Sequence, residues 1–214
     1  MHAPDFSDIF LAWLVFLASL GFRADSHLHP PATLEAIAAV EQEIGFALPD
    51  DLRGLYLKAD GQKDPFEIRD PSPGTLVMPF FGGYDFVPLE RALSEYRNWM
   101  EVYEEGGAGS DASFHDMVTV RSGDPVHREY WRPGWFPFAV DGGGNAYAVD
   151  LSPAPGGQYG QVILIGSDED ERRVLAPSLG AFLLKASRLQ NPRIERAPPE
   201  DHSPWASFDA ETGR

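Results

Sequence analysis

The chain has 214 residues, 43% hydrophobic and 12% aromatic, enough for one core built largely from big side chains. Its 17 Lys and Arg stand against 33 Asp and Glu, a formal charge of −16. Such a surface repels phosphate backbones, which argues against direct nucleic-acid binding, and draws basic partners instead. The absence of cysteine excludes disulfides, thiol nucleophiles and cysteine-ligated zinc, and fits a cytoplasmic chain.

The apolar run from Ile9 to Leu20 is too short to span a bilayer and lacks the Lys or Arg that opens a secretory signal. With Asp5 and Ser7 as caps, residues 7–20 read as a buried first helix stopped near Gly21. Pro30 and Pro31 break the chain before a second helix. Thr33 caps it, its stripe is Leu34, Ile37, Ala38 and Ile44 interrupted by Glu41, and Gly45 ends it. Leu48-Pro49-Asp50-Asp51 opens a third helix with Leu52, Leu55, Tyr56 and Ala59 on one face, closed by Asp60-Gly61. Residues 62–75 read as an exposed loop and Leu76 to Phe81 as a short strand. A fourth helix follows, with Leu89, Leu93, Tyr96, Trp99, Met100 and Tyr103 in one stripe up to Gly106-Gly107.

The second half changes period. Met117 to Arg121 reads as a strand and Trp135 to Val140 as another. Asp141-Gly142-Gly143-Gly144-Asn145 is a turn, and Ala146 to Leu151 and Gln161 to Ile165 are further strands. Ser178 caps a last helix with Leu179, Phe182, Leu183, Ala186 and Leu189 on one side. Helices, then antiparallel strands, then a closing helix describe an α+β fold: one domain over residues 1–190, with residues 1–29 as a helical extension. By composition the tail 191–214 is expected to be disordered, although Trp205 and Phe208 are apt to dock.

The Gly142–Gly144 run lacks the Lys of a phosphate loop and is followed by strand-like alternation rather than a helix. A tight hairpin with Asp141 and Asn145 bonded to backbone is the main reading, and its edge is a candidate partner-binding site. Trp131, Arg132 and Trp135 join it as candidate anchors, since Trp and Arg dominate interface hot spots; Trp131 reads as the more exposed. Asp150 is added, and Asp168, Glu169 and Asp170 are either a solvated turn or a rim that steers a basic partner. The six histidines are scattered; His27 and His29 read as surface residues of a linker, and His115 has no nucleophile beside it. No catalytic residue, metal ligand or cofactor is assigned, and the chain reads as a binding module rather than an enzyme.

Three passages in order give a resemblance. They are Pro30 through Gly45, Leu48-Pro49 and Gly61-Gln62; Trp135 to Ala139 with the Gly142–Gly144 turn; and Gly160-Gln161-Val162 with Val174 to Leu179. Together they are similar to the Smi/Knr cell-wall-regulator family of the SUKH superfamily, over roughly residues 30–190. Such sequences often carry a His-Asp pair after the Gln-Val strand, where this one has Gly166-Ser167-Asp168-Glu169-Asp170. The resemblance implies a mixed sheet with flanking helices, no catalytic residues and a protein partner. Bacterial members are similar to immunity proteins, so the first expectation is an immunity protein neutralising a basic toxin domain. A regulatory scaffold for another cytosolic protein is the alternative, and a metal-dependent hydrolase using Asp141, Asn145, Asp150 and a His is the third.

Overall fold

In the computed structural model, which describes residues 5–64, 67–68, 77–105, 107–109, 112–196 and 206–212, the Asp5 carboxylate accepts the Asp8 N–H at 2.9 Å and helix α1 runs Phe6–Ser19. Phe10, Trp13 and Leu17 are buried against α4 (Asp50–Tyr56) and α7 (Leu179–Ala186), while Leu11 and Val15 are 60% and 63% exposed. The sequence expects a buried helix here; the structure leaves one apolar side in solvent. No helix among the described residues is long and apolar enough to cross a membrane.

A short α2, Ala24–His27, leads to α3, Leu34–Ile44, whose Thr33 hydroxyl accepts the Ala36 N–H. Its buried face is Ile37, Val40 and Ile44; Leu34, placed in the stripe from sequence, is exposed. Glu41, which breaks that stripe, accepts the Leu48 N–H at 2.8 Å and the Arg53 Nη1 at 2.9 Å, so it pins α3 to α4, Asp50–Tyr56. Asp51 of α4 accepts the Gly180 N–H at 2.8 Å, at the start of the closing helix α7, Leu179–Ala186. His27, expected at the surface, is buried against the Phe22 ring.

The sheet has six strands: β1 Asp85–Phe86, β2 Thr119–Val120, β3 Trp135–Val140, β4 Asn145–Asp150, β5 Gln161–Gly166 and β6 Glu171–Ala176, in the order β1-β3-β4-β5-β6-β2. Every pairing is antiparallel except β2 with β6. β5 is buried at all six positions and β3 and β4 at five each, as strands covered on both faces are. Helix α5, Leu89–Glu104, packs on β3, and α7 on β5 and β6. A five-residue α6, Ala112–Asp116, precedes β2.

Two strand expectations change. Val77 to Phe81 forms no strand but a bend that turns Phe80 and Phe81 fully into the core; Leu76 lies outside the described residues. Only Thr119–Val120 of the 117–121 segment pairs, and Met117 is exposed. Strand β6 has no counterpart in the sequence reading, because Glu171-Arg172-Arg173 breaks the apolar alternation. Gln62, at the start of the expected exposed loop, is buried: its Oε1 accepts the N–H groups of Phe80 and Phe86 at 2.6 and 3.0 Å, and its amide donates to Asp85 at 2.8 Å. In the 191–214 tail, β7 Glu195–Arg196 pairs with β8 Ala206–Ser207, and Phe208 is buried. Trp205 lies outside the described residues.

Candidate functional site

At one end of the sheet the β3–β4 turn is held by its own side chains. Asp141 Oδ1 accepts the N–H groups of Gly143 at 2.7 Å and Asn145 at 3.0 Å, and the Asn145 amide donates to Asp141 Oδ2 at 2.7 Å. Gly142 and Gly144 have φ of 78° and 99°, a left-handed backbone that glycine adopts freely. Asn145 Oδ1 then accepts the Asp168 N–H at 3.1 Å, and the Ser167 N–H donates to Gly144 O at 3.2 Å. The β3–β4 and β5–β6 turns are therefore zipped into one rigid edge. A Cβ on Gly166 would lie 2.1 Å from Asn145 Oδ1, so that close approach needs glycine.

This edge is acidic. Glu169 pairs with Arg173 at 3.1 Å and Glu171 with Arg121 at 3.4 Å, whereas Asp168 and Asp170 are exposed and have no cation within ion-pair distance among the described residues. Behind the hairpin, Arg91, Asn98 and Trp99 of α5 and Val140 and Ala146 of the sheet line a cleft of about 250 Å³. A second cleft of about 360 Å³ adjoins it through Arg91, Val140 and Gly142 and reaches Asp85. Burial, with the nearby Asp64 carboxylate adding to it, pushes the Asp85 carboxyl up to about 6, against the opposing Gln62 hydrogen bond.

The expected site residues do not form one patch. Asp141, Asn145, Asp168, Glu169 and Asp170 share the zipped edge. Asp150 pairs across with Trp135 at the far end of β4, about 16 Å away at strand spacing. It is fully buried and accepts the Ser152 N–H at 3.1 Å and the Gln161 amide at 3.0 Å; burial pushes its carboxyl up. The hydrolase constellation is thus not assembled. Trp131, expected as a surface anchor, is fully buried, stacked on Trp99 at 5.1 Å and edge-on to Trp135 at 6.2 Å. Trp135 is buried with it, because the chain turns at Gly134 against Ser152. Arg132 is half-buried, donating to Glu129 at 3.0 Å and to the Ser152 hydroxyl at 3.2 Å.

The motif glycines and Pro49 sit at a helix cap and at close contacts. Gly45 takes the left-handed cap of α3. A Cβ on Gly61 would meet Pro88 N at 2.3 Å. Leu48 is buried, and Pro49 rests on Gly160, where a Cβ would come within 2.5 Å of the ring. Sequence reasoning missed Arg172, a fully buried guanidinium with no carboxylate within ion-pair distance among the described residues. It donates to the carbonyls of Glu129, Glu169, Tyr130 and Gly166 and lies 5.7 Å from the Tyr130 ring centroid. Burial depresses its pKa to about 10. A polar run reads as solvent-facing, so nothing in the sequence marks it.

The zipped turns, with Asp168 and Asp170 exposed and the α5 cleft behind them, belong to an α+β domain. The family model described as SMI1 / KNR4 family (SUKH-1) matches residues 31–185, and the chain belongs to that family. It is 33% identical over 157 residues to the "Cell wall biosynthesis/cell cycle regulator smi1" of Schizosaccharomyces pombe, covering 71% of this chain and 29% of that protein. It is 24% identical over 209 residues to the "Cell wall assembly regulator SMI1" of Saccharomyces cerevisiae, covering 83% and 39%. With a "Glucan synthesis regulatory protein" of Neurospora crassa it shares 27% over 178 residues, covering 71% and 32%. The chain spans less than half the length of each of these relatives.

Proposed function

We propose that the chain is a regulatory, non-catalytic protein-binding domain of the cell-wall-assembly type, working in the cytoplasm and docking a basic segment of a protein partner on the zipped acidic edge. The relatives' names support the regulatory role and give none to the toxin-immunity role expected first, which is set aside together with its basic toxin partner. The observation that carries the docking site is the pair Asp168 and Asp170, exposed with no cation within ion-pair distance among the described residues, on a turn locked to Asn145. Asp141, Asn145 and Glu169 frame it, and Arg132 lies outside it.

The test uses the full chain and an Asp168→Asn/Asp170→Asn double variant, whose changed side chains make no hydrogen bond among the described residues. Both are immobilised and exposed to fungal lysate at about 50 mM and about 500 mM salt, a change that shortens the screening length several-fold. Basic proteins retained by the wild-type chain at low salt, and lost at high salt or on the double variant, support the reading. The same proteins held equally by both chains would overturn it.

A further inference from the structure

A seven-residue segment near the C-terminus, residues 206–212, lies across the body of the domain as a bound peptide would. Ala206 and Ser207 pair with Arg196 and Glu195 on one side, and the Ala206 N–H donates to Val77 O at 2.9 Å on the other. The two short strands form a ribbon apart from the six-stranded sheet, tied to the body through Val77, and the alternate residues Ala206, Phe208 and Ala210 are buried. Phe208 enters an aromatic pocket of α1, edge-on to Phe16 at 5.8 Å and tilted to Trp13 at 6.4 Å. Its carbonyl passes over Gly82, where a Cβ would lie 2.3 Å from that oxygen. Ala210 is buried, and Glu211 accepts from Arg173 at 3.3 Å and faces the Tyr147 hydroxyl at 3.5 Å. Asp209 folds the turn by accepting the Glu211 N–H at 2.7 Å.

The surface underneath has supports of its own. Arg173 is also held by Glu169, and Tyr147 stacks on Tyr84 at 4.0 Å and meets Phe182 edge-on. A cleft of about 500 Å³ lined by Tyr84, Tyr147, Arg121 and Arg173 continues beside the segment. A pocket for an aromatic ring, a glycine that lets backbone pass, room for a small residue and an arginine three positions beyond the ring form a preorganised receptor, and preorganisation is what lets a short peptide bind.

We infer that this groove is a docking site for a short segment of another protein carrying an aromatic residue, an acid, a small residue and a second acid in succession and folded into the same turn, and that residues 206–212 occupy it until such a segment displaces them. Its ligand is acidic and aromatic, the opposite chemistry to the basic segment assigned to the zipped edge, so the two sites are tested separately.

The experiment titrates a fluorescein-labelled peptide of residues 204–212 into the full chain and follows anisotropy. Releasing the internal segment by Phe208→Ala should strengthen peptide binding at least ~10-fold over wild type, since a buried aromatic anchor is lost from the competitor alone. Replacing Phe208 by Ala or Glu211 by Lys within the peptide, or adding Arg173→Gln to the released chain, should remove that gain. Should Phe208→Ala fail to melt cooperatively, Phe208→Leu, which keeps an apolar side chain in the pocket, loosens the segment and should give a smaller gain of the same sign. A released, cooperatively folding chain that binds no peptide overturns the proposal. Concentration-dependent dimers of the wild-type chain that dissociate on adding the peptide overturn it too, because the occupant is then a second copy of this chain.

Discussion

Asp85→Asn should stabilise the domain, and by an amount that depends on pH. The Asp85 carboxyl sits beside Asp64, largely removed from water, with its Oδ1 accepting the Gln62 amide at 2.8 Å. Its pKa rises from an ordinary 3.8 to about 6. The folded chain therefore binds this proton more tightly than the unfolded chain, and stability falls as pH rises from about 4 to about 6. Two pKa units correspond to a ceiling of about 3 kcal/mol above pH 7, which partial solvent contact reduces to about 1–2 kcal/mol. Asparagine retains an oxygen for the Gln62 amide and removes the charge, so Asp85→Asn should recover that amount at pH 8. Roughly half of the gain should be gone at pH 5, where most of the native carboxyl is already protonated. Urea denaturation followed by tryptophan fluorescence at pH 5, 6, 7 and 8 measures the difference between the two proteins and cancels contributions from Asp150, whose carboxyl is also raised. A gain that stays constant across that range, or a loss of stability at pH 8, would refute the account of Asp85 as a desolvated carboxylate.

Gln62→Leu strips the acceptor from the buried N–H groups of Phe80 and Phe86 and should cost about 2–5 kcal/mol in the same denaturation assay. Gly160→Ala forces a Cβ against the Pro49 ring at φ 81° and should cost about 2–3 kcal/mol, whereas Gly45→Ala, at φ 75° with nothing within 4 Å, should cost only about 1 kcal/mol. Equal losses at the two glycines would show that the Pro49 contact contributes nothing. Arg172→Lys should cost about 2–4 kcal/mol in thermal unfolding despite keeping the charge, because a compact ammonium cannot reach four separate carbonyls.

The helical half of the fold was legible because local chemistry decides it. Asp5, Thr33 and Ser178 each cap the helix expected of them, and Gly45 ends one, all through bonds within four residues. The strands β3, β4 and β5 were legible as apolar runs bounded by Gly and Asn. Strand β6 was not, since Arg172 is buried through carbonyls of the 129–130 and 166–169 turns, partners that only the folded chain brings near. Val77 to Phe81 misled in the opposite sense: an apolar run reads alike whether it pairs or merely turns two phenylalanines inward. Of the candidate site, the Asp141–Asn145 hairpin was readable from its residues. Its zipper to Asp168 was not, and Trp131 was misjudged because flanking polar residues say little about which way a loop side chain turns.

The corner between α3 and α4 is itself a local structure, yet what fastens it comes from far along the chain. The Tyr159 hydroxyl donates to Ala47 O across 112 residues, and the Gly180 N–H to Asp51 across 129. Closing loops of that length costs entropy that no local contact offsets, so both fastenings depend on the sheet, which places Gly160 beneath Pro49. The corner's own residues shape it but do not anchor it: without the segments that carry Tyr159 and Gly180, Ala47 O and the Asp51 carboxylate lose these donors.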